Sequence, residues 1–266
     1  MNLIEKFKLY IDYIFDYKKK IKYNVVKYKE PTSLQKDLLV FHEYEEFLET
    51  RIKQVKNLKY DCGHFFVFEA IKLFSGYKVL TVASSKYTEK LKQYYELFDM
   101  VIVTNNIAQD FGGYFSAFNE MSKKRLKFEN VTIFNSSQYL DKKELGQFFN
   151  CTLDPGSFVG IAYAYGPRFH ILKYFHLQSY LLKYKYEDLI EILGSSFELD
   201  SFYSSKYSLI SRAEVRLSKL SIKKGLKPFL FENNLVCSVD FKKVRLSMKD
   251  GRLDSDFAWK NKFTHL

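Results

Sequence analysis

Residues 99–137 read DMVIVTNNIAQDFGGYFSAFNEMSKKRLKFENVTIFNSS, two short apolar runs joined by a segment with a helical pattern. Met100–Val103 and Val131–Phe134 are predicted to be buried strands, and small polar residues follow each of them directly. In an open α/β sheet, ligands bind at the carboxyl ends of the strands. The stretch therefore predicts a ligand site between two strand ends.

Strand and helix patterns alternate along the rest of the chain, which is typical of an α/β fold. The apolar runs that predict further strands are Leu38–Phe41, Lys78–Ala83, Phe158–Ala162, His176–Leu182 and Pro228–Phe231. The patterns that predict helices are 2–29, 65–74, 88–98, 110–124, 140–149, 186–193 and 213–224. A helix that continues to Val55 is the alternative at the first strand, because glutamates follow it.

The core of the protein is predicted to be one α/β domain over residues 34–231, a Rossmann-type mixed sheet flanked by helices. Residues 1–33 are predicted to form a basic helical extension, whose amphipathic helix is followed by several lysines. Within it, Glu30–Ser33 is the candidate linker, since its proline stops a helix and its Thr or Ser can cap the next element. Residues 232–266 are expected to be a tail packed on the domain.

Length and composition place the protein among folded globular proteins. The chain has 266 residues, of which 47% are hydrophobic, enough to bury a full core. It has no run of 18 apolar residues and no secretory signal pattern, so we expect neither a transmembrane helix nor export.

Cys62, Cys151 and Cys237 fit neither a disulfide framework nor a zinc site. We therefore expect a cytoplasmic protein with reduced thiols, with contact to the inner face of the membrane left open.

The net charge of +11 has several interpretations. Only seven of the 42 basic residues are arginines, and such a lysine-rich composition is what AT-rich coding produces. The functional alternatives are a phosphate-bearing ligand, an anionic membrane surface and nucleic acid. A nucleic-acid-binding protein usually clusters arginine and carries a recognisable module, so no nucleic acid is expected here. The basic helix over 2–29 either lies on a membrane or packs on the domain.

Four motifs follow one another along the chain. They are NIAQDFGGY at 106–114, IFNSS at 133–137, HLQSY at 176–180 and AEVRLS at 213–218, the last followed by Gly225. Together they resemble the rhamnan synthesis protein F family, a group of bacterial surface-polysaccharide glycosyltransferases. That family shows an Asn-x-Gly-x-Asp-x-Gly-x-Tyr stretch, a strand ending in Asn-Asp-Ser, a His-x-Gln-Ser strand and a Glu-Val-x-Leu-Ser helix. The resemblance covers residues 38–230.

The resemblance implies a GT-A-type fold, in which one half binds a nucleotide-diphosphate sugar and the other binds the acceptor. It also implies an inverting transferase that builds a surface polysaccharide such as capsule or lipopolysaccharide, with Mg²⁺ or Mn²⁺ at the acidic strand end. Two positions depart from the family: Ala108 replaces the glycine and Ser136 replaces the acid. Because Mg²⁺ prefers a carboxylate, the metal is either held elsewhere, replaced by positive groups, or lost together with catalysis.

Six residues of the first two motifs are expected to bind the donor: Asn106, Asp110, Gly112, Asn135, Ser136 and Ser137. Asp110 would contact the nucleotide or fix the loop that does, next to glycines that allow close backbone approach. Its alternative role is that of an acid favoured by the helix dipole. Asn135 and Ser137 would hold ribose or phosphate, or else cap the following helix.

Glu214, at the start of a predicted helix, is the candidate general base that deprotonates the acceptor hydroxyl. Its alternative role is again that of a helix N-terminal acid. His176, Gln178 and Ser179 are expected to line an acceptor or sugar pocket, and His176 and Gln178 share one face of their strand. His42 and Glu43 could border the nucleotide base, although a core histidine is the simpler interpretation.

The expected partners are a nucleotide sugar and a glycan acceptor. A lipid-linked acceptor would explain why a basic N-terminal segment faces an anionic membrane. A non-catalytic GT-A-like binding subunit is the alternative, motivated by Ser136 in place of the acid. A nucleic-acid-associated protein is a third hypothesis that rests on charge alone.

Overall fold

A computed structural model describes residues 11, 14–44, 63–84, 95–135, 142–161, 163–165, 175–177, 181–232 and 235–239. Four predicted site residues lie outside these ranges: Ser136, Ser137, Gln178 and Ser179. Two further predictions also fall largely outside the described ranges. They are most of the helix predicted over 88–98 and the alternative helix after Tyr44.

The strands, numbered in chain order, are β1 Lys19–Lys20, β2 Tyr23–Tyr28, β3 Asp37–Tyr44, β4 Tyr77–Ala83, β5 Met100–Thr104, β6 Asn130–Asn135, β7 Ser157–Gly160, β8 Tyr163–Tyr165, β9 Phe175–Leu177, β10 Leu181–Lys185, β11 Ser201–Phe202, β12 Lys227–Glu232 and β13 Leu235–Ser238. The helices are α1 Gly63–Leu73, α2 Gln109–Lys123, α3 Lys142–Asn150, α4 Tyr186–Ser196, α5 Lys206–Leu209 and α6 Val215–Lys223, with a π-helical turn at Ile210–Glu214 between the last two.

Nine strands form one sheet in the order β13-β12-β7-β10-β6-β3-β4-β5-β2. The central strands β6, β3, β4 and β5 are parallel neighbours, and β12 is parallel to β7. Strands β2, β10 and β13 run antiparallel to their neighbours. The sheet is therefore mixed, and the predicted α/β class with helices flanking a mixed sheet is confirmed.

Both faces of the sheet are covered. Along β3, Leu38 and Val40 join the apolar cluster that holds α2, α4 and α6, while Leu39 and Phe41 join the cluster that holds α1 and α3. Burial on both faces explains why the central strands are continuous apolar runs rather than alternating ones. It also places every second residue of β3, including His42, on the side of α2.

The N-terminal segment differs from the sequence prediction. The prediction of a helix over residues 2–29 is wrong between Lys19 and Tyr28, because the chain forms β1 and β2 there. Strand β2 pairs with β5 and completes the edge of the main sheet, and β1 pairs with β11. The Asn105 side chain holds the turn between them, because it accepts from Lys22 N and donates to Lys20 O. The open edge of β5 supplies hydrogen bonds that a helical pattern does not reveal.

Two further predictions differ in detail. The single strand predicted over His176–Leu182 is two strands, of which β9 pairs with β8 and β10 enters the main sheet antiparallel to β6. The helix predicted from Ala213 starts earlier, because α5, the π-helical turn and α6 follow one another without a break. Within the described ranges, the structure contains no helix of the length and apolarity that crossing a membrane requires.

Candidate functional site

The parallel strands β3, β4, β5 and β6 end at the same edge of the sheet. His42 pairs in register with Thr81 of β4 on one side and with Asn135 of β6 on the other. Three polar residues from three strands therefore lie in one row at the carboxyl edge. This is the edge at which open α/β sheets bind their ligands.

Asp110 lies in the first turn of α2 and reaches this row. Its Oδ2 accepts a hydrogen bond of 2.6 Å from Asn135 Nδ2, and the Tyr44 hydroxyl at the end of β3 also bonds to the carboxyl group. The Asp110 side chain is 20% exposed, whereas His42 beneath it is fully buried. Asp110 is thus fixed by two strand ends while part of its side chain remains exposed.

The start of α2 has an unusual backbone. Ala108 and Gln109 have φ angles of 66° and 48°, in the left-handed region that costs a non-glycine residue about 1–2 kcal/mol. Ala108 stands where the family motif has glycine, so the strain gives a physical reason for that glycine. A Cβ on Gly112 would lie 1.9 Å from Ile107 O, which shows how tightly the loop turns back against the helix.

Gly113 allows α2 to pack directly on the row of polar residues. A Cβ built at this position would lie 2.1 Å from His42 Nδ1 and 2.5 Å from Thr81 Oγ1. Both distances are far below van der Waals contact, so only glycine fits without displacement of the strands. The contact explains why the helix carries two glycines near its start despite their low helix propensity.

His42 is held from one side only. Its Nδ1 lies 2.9 Å from Thr81 Oγ1, while its Nε2 has no hydrogen-bond partner among the described residues and lies 3.9 Å from Asp110 Oδ1. Burial lowers the pKa of His42 to about 4, against a smaller opposing effect of the Glu43 charge. The imidazole is therefore neutral at physiological pH.

Asp110 has the opposite shift. Burial raises its pKa to about 7, and the charges of Glu214 and, more weakly, Glu43 act in the same direction. The hydrogen bonds from Tyr44 and Asn135 favour the ionised form and partly oppose this rise. The site therefore gathers carboxyl groups from a strand, a helix and the π-helical turn.

The π-helical turn places Glu214 against this site. Burial and then the negative charge of Asp110 raise the pKa of Tyr114, and Glu214 adds to the effect. Short π segments inside helices are frequent at functional sites, because the extra residue changes which side chains face inward. Glu214 is half-buried and ends that segment.

The motifs at 176–180 and 213–218 are in direct contact. Leu177 N of β9 donates a 3.0 Å hydrogen bond to Ser218 Oγ of α6, so the strand that holds His176 packs on the helix that follows Glu214. His176 pairs through its backbone with Ala164. The position of the His176 side chain lies outside what the structure describes.

The structure brings together three of the predicted site residues, Asp110, Asn135 and Glu214. Asn106 is exposed on the bend between β5 and α2, and Gly112 packs on the adjacent loop rather than facing the row. Sequence analysis missed Tyr44, Thr81 and Tyr114 and gave His42 only a secondary place. Tyr114 could have been found because it ends the first motif, whereas Thr81 stands within an apolar run and gives no such signal.

The described residues include no group of three or more His, Cys, Asp or Glu side chains that could hold a metal ion. At the end of β6, Asn135 already donates its amide to Asp110. Mg²⁺ is usually held by one or two carboxylates together with substrate phosphates, and Asp110 is the carboxyl group that bonds to this strand end.

Comparisons with known proteins give remote structural likenesses. No protein-family model and no curated protein matches the chain. A 4-diphosphocytidyl-2C-methyl-D-erythritol synthase matches at 10% identity and a TM-score of 0.41, covering 81% of this chain and 97% of its own. The inositol-1-phosphate CTP transferase from T. maritima matches at 16% identity and a TM-score of 0.40, covering 82% and 96%. A mannosyltransferase from Pyrobaculum calidifontis in complex with GDP-Man and Mn²⁺ matches at 11% identity and 0.40, covering 89% and 64%. At these identities and TM-scores, the likenesses carry no argument about the activity of this chain.

Proposed function

We propose that the protein is a glycosyltransferase that moves a sugar from a nucleotide-diphosphate donor to a surface glycan. The observation that carries the proposal is the convergence of Asp110, Asn135 and Glu214, which come from three separate family-like motifs, at one edge of the sheet. A chance resemblance would not be expected to bring such distant residues into one electrostatic cluster.

The residues have distinct roles in the proposed reaction. Asp110 and Asn135 form a rigid hydrogen-bonded pair that binds the donor through its partly accessible carboxyl group. Glu214 accepts the proton of the acceptor hydroxyl as that oxygen attacks the anomeric carbon. The bond from the anomeric carbon to the diphosphate breaks at the same time, and the nucleoside diphosphate leaves with the bonding electrons. Attack from the opposite face inverts the anomeric centre.

No step of this reaction is assigned to a metal.

A non-catalytic GT-A-like subunit that binds a partner or glycan is the second candidate, and Ser136 in place of the family acid favours it. The variant Ser136→Asp separates the two candidates. A gain of Mg²⁺- or Mn²⁺-dependent transfer by an otherwise inactive protein would support the binding subunit.

The proposal is tested first by donor binding. Thermal denaturation with a panel of nucleoside diphosphates and their sugars, with and without Mg²⁺ or Mn²⁺, should show a selective shift for one donor class. A folded sample that responds to no donor would contradict the proposal.

Glu214→Gln is then expected to keep donor affinity and to lower the rate of nucleoside diphosphate release by at least about 100-fold, because general base catalysis is lost. Release is measured with a lipid extract as the source of acceptor. Glu187→Gln is the matched control, since Glu187 is an exposed acid in the first turn of α4. Equal activity of both variants would remove Glu214 from the mechanism.

The acceptor is proposed to be lipid-linked and to be reached at an anionic membrane. Ile14, Phe15 and Tyr17 expose 52%, 75% and 68% of their surface directly before Lys18–Lys20. Exposed aromatic residues beside lysines are the combination that binds the interface of an anionic bilayer.

Sedimentation with vesicles tests this surface. The double variant Phe15→Ser, Tyr17→Ser should bind phosphatidylglycerol vesicles several-fold more weakly than the wild type. Leu34→Ser is the control, since Leu34 is an 87% exposed apolar residue outside that segment. Equal loss in both variants, or equal binding to phosphatidylcholine vesicles, would contradict a specific membrane surface.

A further inference from the structure

His42 is a buried polar side chain whose second nitrogen faces the candidate site. The ring is fully buried between α2 and the sheet, with Gly113 packed against its Nδ1 side. Nε2 points toward Asp110 Oδ1 at 3.9 Å and has no hydrogen-bond partner among the described residues. Buried polar atoms are rarely left without a partner, so this one requires an explanation.

The hydrogen bonds around Thr81 bear on the tautomer of the ring. The Thr81 hydroxyl lies 3.4 Å from Phe41 O and 2.9 Å from His42 Nδ1. In the tautomer in which this hydroxyl donates to Phe41 O, its oxygen accepts from His42 Nδ1–H. Nε2 of the neutral ring then carries the lone pair. In this tautomer Nε2 is an acceptor that faces the Asp110 carboxyl group. A hydrogen bond between the two groups therefore requires a proton on Asp110.

We propose that His42 is a positioning residue that accepts a hydrogen bond through Nε2 from the acid form of Asp110, and that donor binding therefore depends on the Asp110 proton. The inference rests on the proposed function, because it concerns the donor site of that reaction. His42 Nε2 and Asp110 Oδ1 lie 3.9 Å apart, about 1 Å beyond hydrogen-bond distance, so the proposed bond forms as the protonated carboxyl group turns toward the ring.

The charged groups around Asp110 favour the same state. Tyr44 faces it from β3 and Tyr114 from α2, while the charges of Glu43 on β3 and of Glu214 on the π-helical turn act on it. Burial, and after it the charge of Glu214, raises the pKa of Asp110 to about 7, and burial keeps His42 neutral throughout this range. With its proton, Asp110 adds no negative charge against a diphosphate, so the donor binds more tightly below pH 7.

The first experiment measures Asp110 in the ligand-free protein. NMR titration of ¹³C-labelled aspartate carboxyls, with Asp110 assigned by its absence in Asp110→Asn, should give a midpoint near 7. His42→Phe is expected to lower the midpoint by about one pH unit, since a phenyl ring accepts no hydrogen bond. His42→Gln keeps an acceptor oxygen and should restore it.

Thr81→Val provides a second variant that keeps the shape of the core if His42→Phe fails to fold. Without the threonine hydroxyl, His42 can take the other tautomer and donate to ionised Asp110. The Asp110 midpoint should again fall. A midpoint that stays the same in both His42→Phe and Thr81→Val would overturn the inference and leave the proposed function untouched.

The second experiment measures binding of the selected nucleotide sugar, whose diphosphate does not titrate between pH 6 and pH 8. The wild-type dissociation constant should rise about tenfold across this range, as expected when only the acid form of one group with a midpoint near 7 binds. Asp110→Asn should bind with no pH dependence, because its amide presents N–H to His42 and oxygen to Asn135. A wild-type dissociation constant that does not change with pH would overturn the inference. An Asp110 midpoint near 7 without any nucleotide-sugar binding would overturn the proposed function instead.

Discussion

Gly113→Ala is expected to lower the free energy of unfolding by about 3 kcal/mol, because the added methyl group overpacks a site that has no space for it. The new Cβ would lie 2.1 Å from His42 Nδ1 and 2.5 Å from Thr81 Oγ1. Neither neighbour can withdraw easily, since both belong to central strands paired in register with each other. The helix must move away from the sheet or the histidine must leave Thr81. Urea denaturation of both proteins measures the difference.

Gly146→Ala is the matched control for this prediction. Gly146 also lies inside a helix, α3, but a Cβ there would meet nothing within 4 Å. Alanine has the higher helix propensity, so this variant should be more stable than the wild type by about 0.5–1 kcal/mol. If Gly113→Ala behaved like Gly146→Ala, the close packing of α2 on His42 would be wrong.

The central strands could be predicted from the sequence because both of their faces are buried. Runs such as Val131–Phe134 are apolar throughout, and the polar residue that ends each run marks the edge of the sheet. The strands found at β3, β4, β5 and β6 match these runs to within three residues at each end. The polar residues of the candidate site followed directly from these strand ends, as Asn135 shows.

Elements whose structure depends on distant partners could not be predicted in the same way. Strand β2 has a mixed burial pattern, and the open edge of β5 determines its conformation. The reversal of β10 and the π-helical turn before α6 also leave no periodic signal. Glu214 could be named from its motif, but its closeness to Asp110 depends on that turn.

The role of His42 shows the same limit within the site. Its place at the end of an apolar run is compatible with a core histidine, and its full burial agrees with that interpretation. Only the three-dimensional contacts show that one nitrogen bonds Thr81 while the other faces Asp110. Sequence spacing carries no information about such pairs, because 68 residues of chain separate the two side chains and the helix brings them together.

Asp110→Asn is expected to be more stable than the wild type at pH 8, by up to about 4 kcal/mol. The pKa of Asp110 is raised from 3.8 to about 7 in the folded protein. A raised pKa means that folding favours the protonated acid, so its stabilisation is complete below pH 3.8 and is lost as the pH rises through 7. The amide needs no proton and retains a bond to Asn135. Such a gain is typical of sites where function retains a residue that is unfavourable for stability.

His42 contributes to stability with the opposite pH dependence, so the contributions of Asp110 and His42 offset each other in the wild type. Its pKa is lowered from 6.5 to about 4, so the stability that it contributes is present above pH 6.5 and is lost as the pH falls through 4. Between pH 4 and pH 6.5 the contributions of Asp110 and His42 to the free energy of unfolding change with pH in opposite directions and nearly cancel. Urea denaturation at pH 4.5, 6 and 8 should therefore show Asp110→Asn losing stability toward low pH and His42→Gln losing it toward high pH. Parallel pH profiles for wild type and both variants would show that neither group titrates with a shifted pKa, and the electrostatic account of this site would then be wrong.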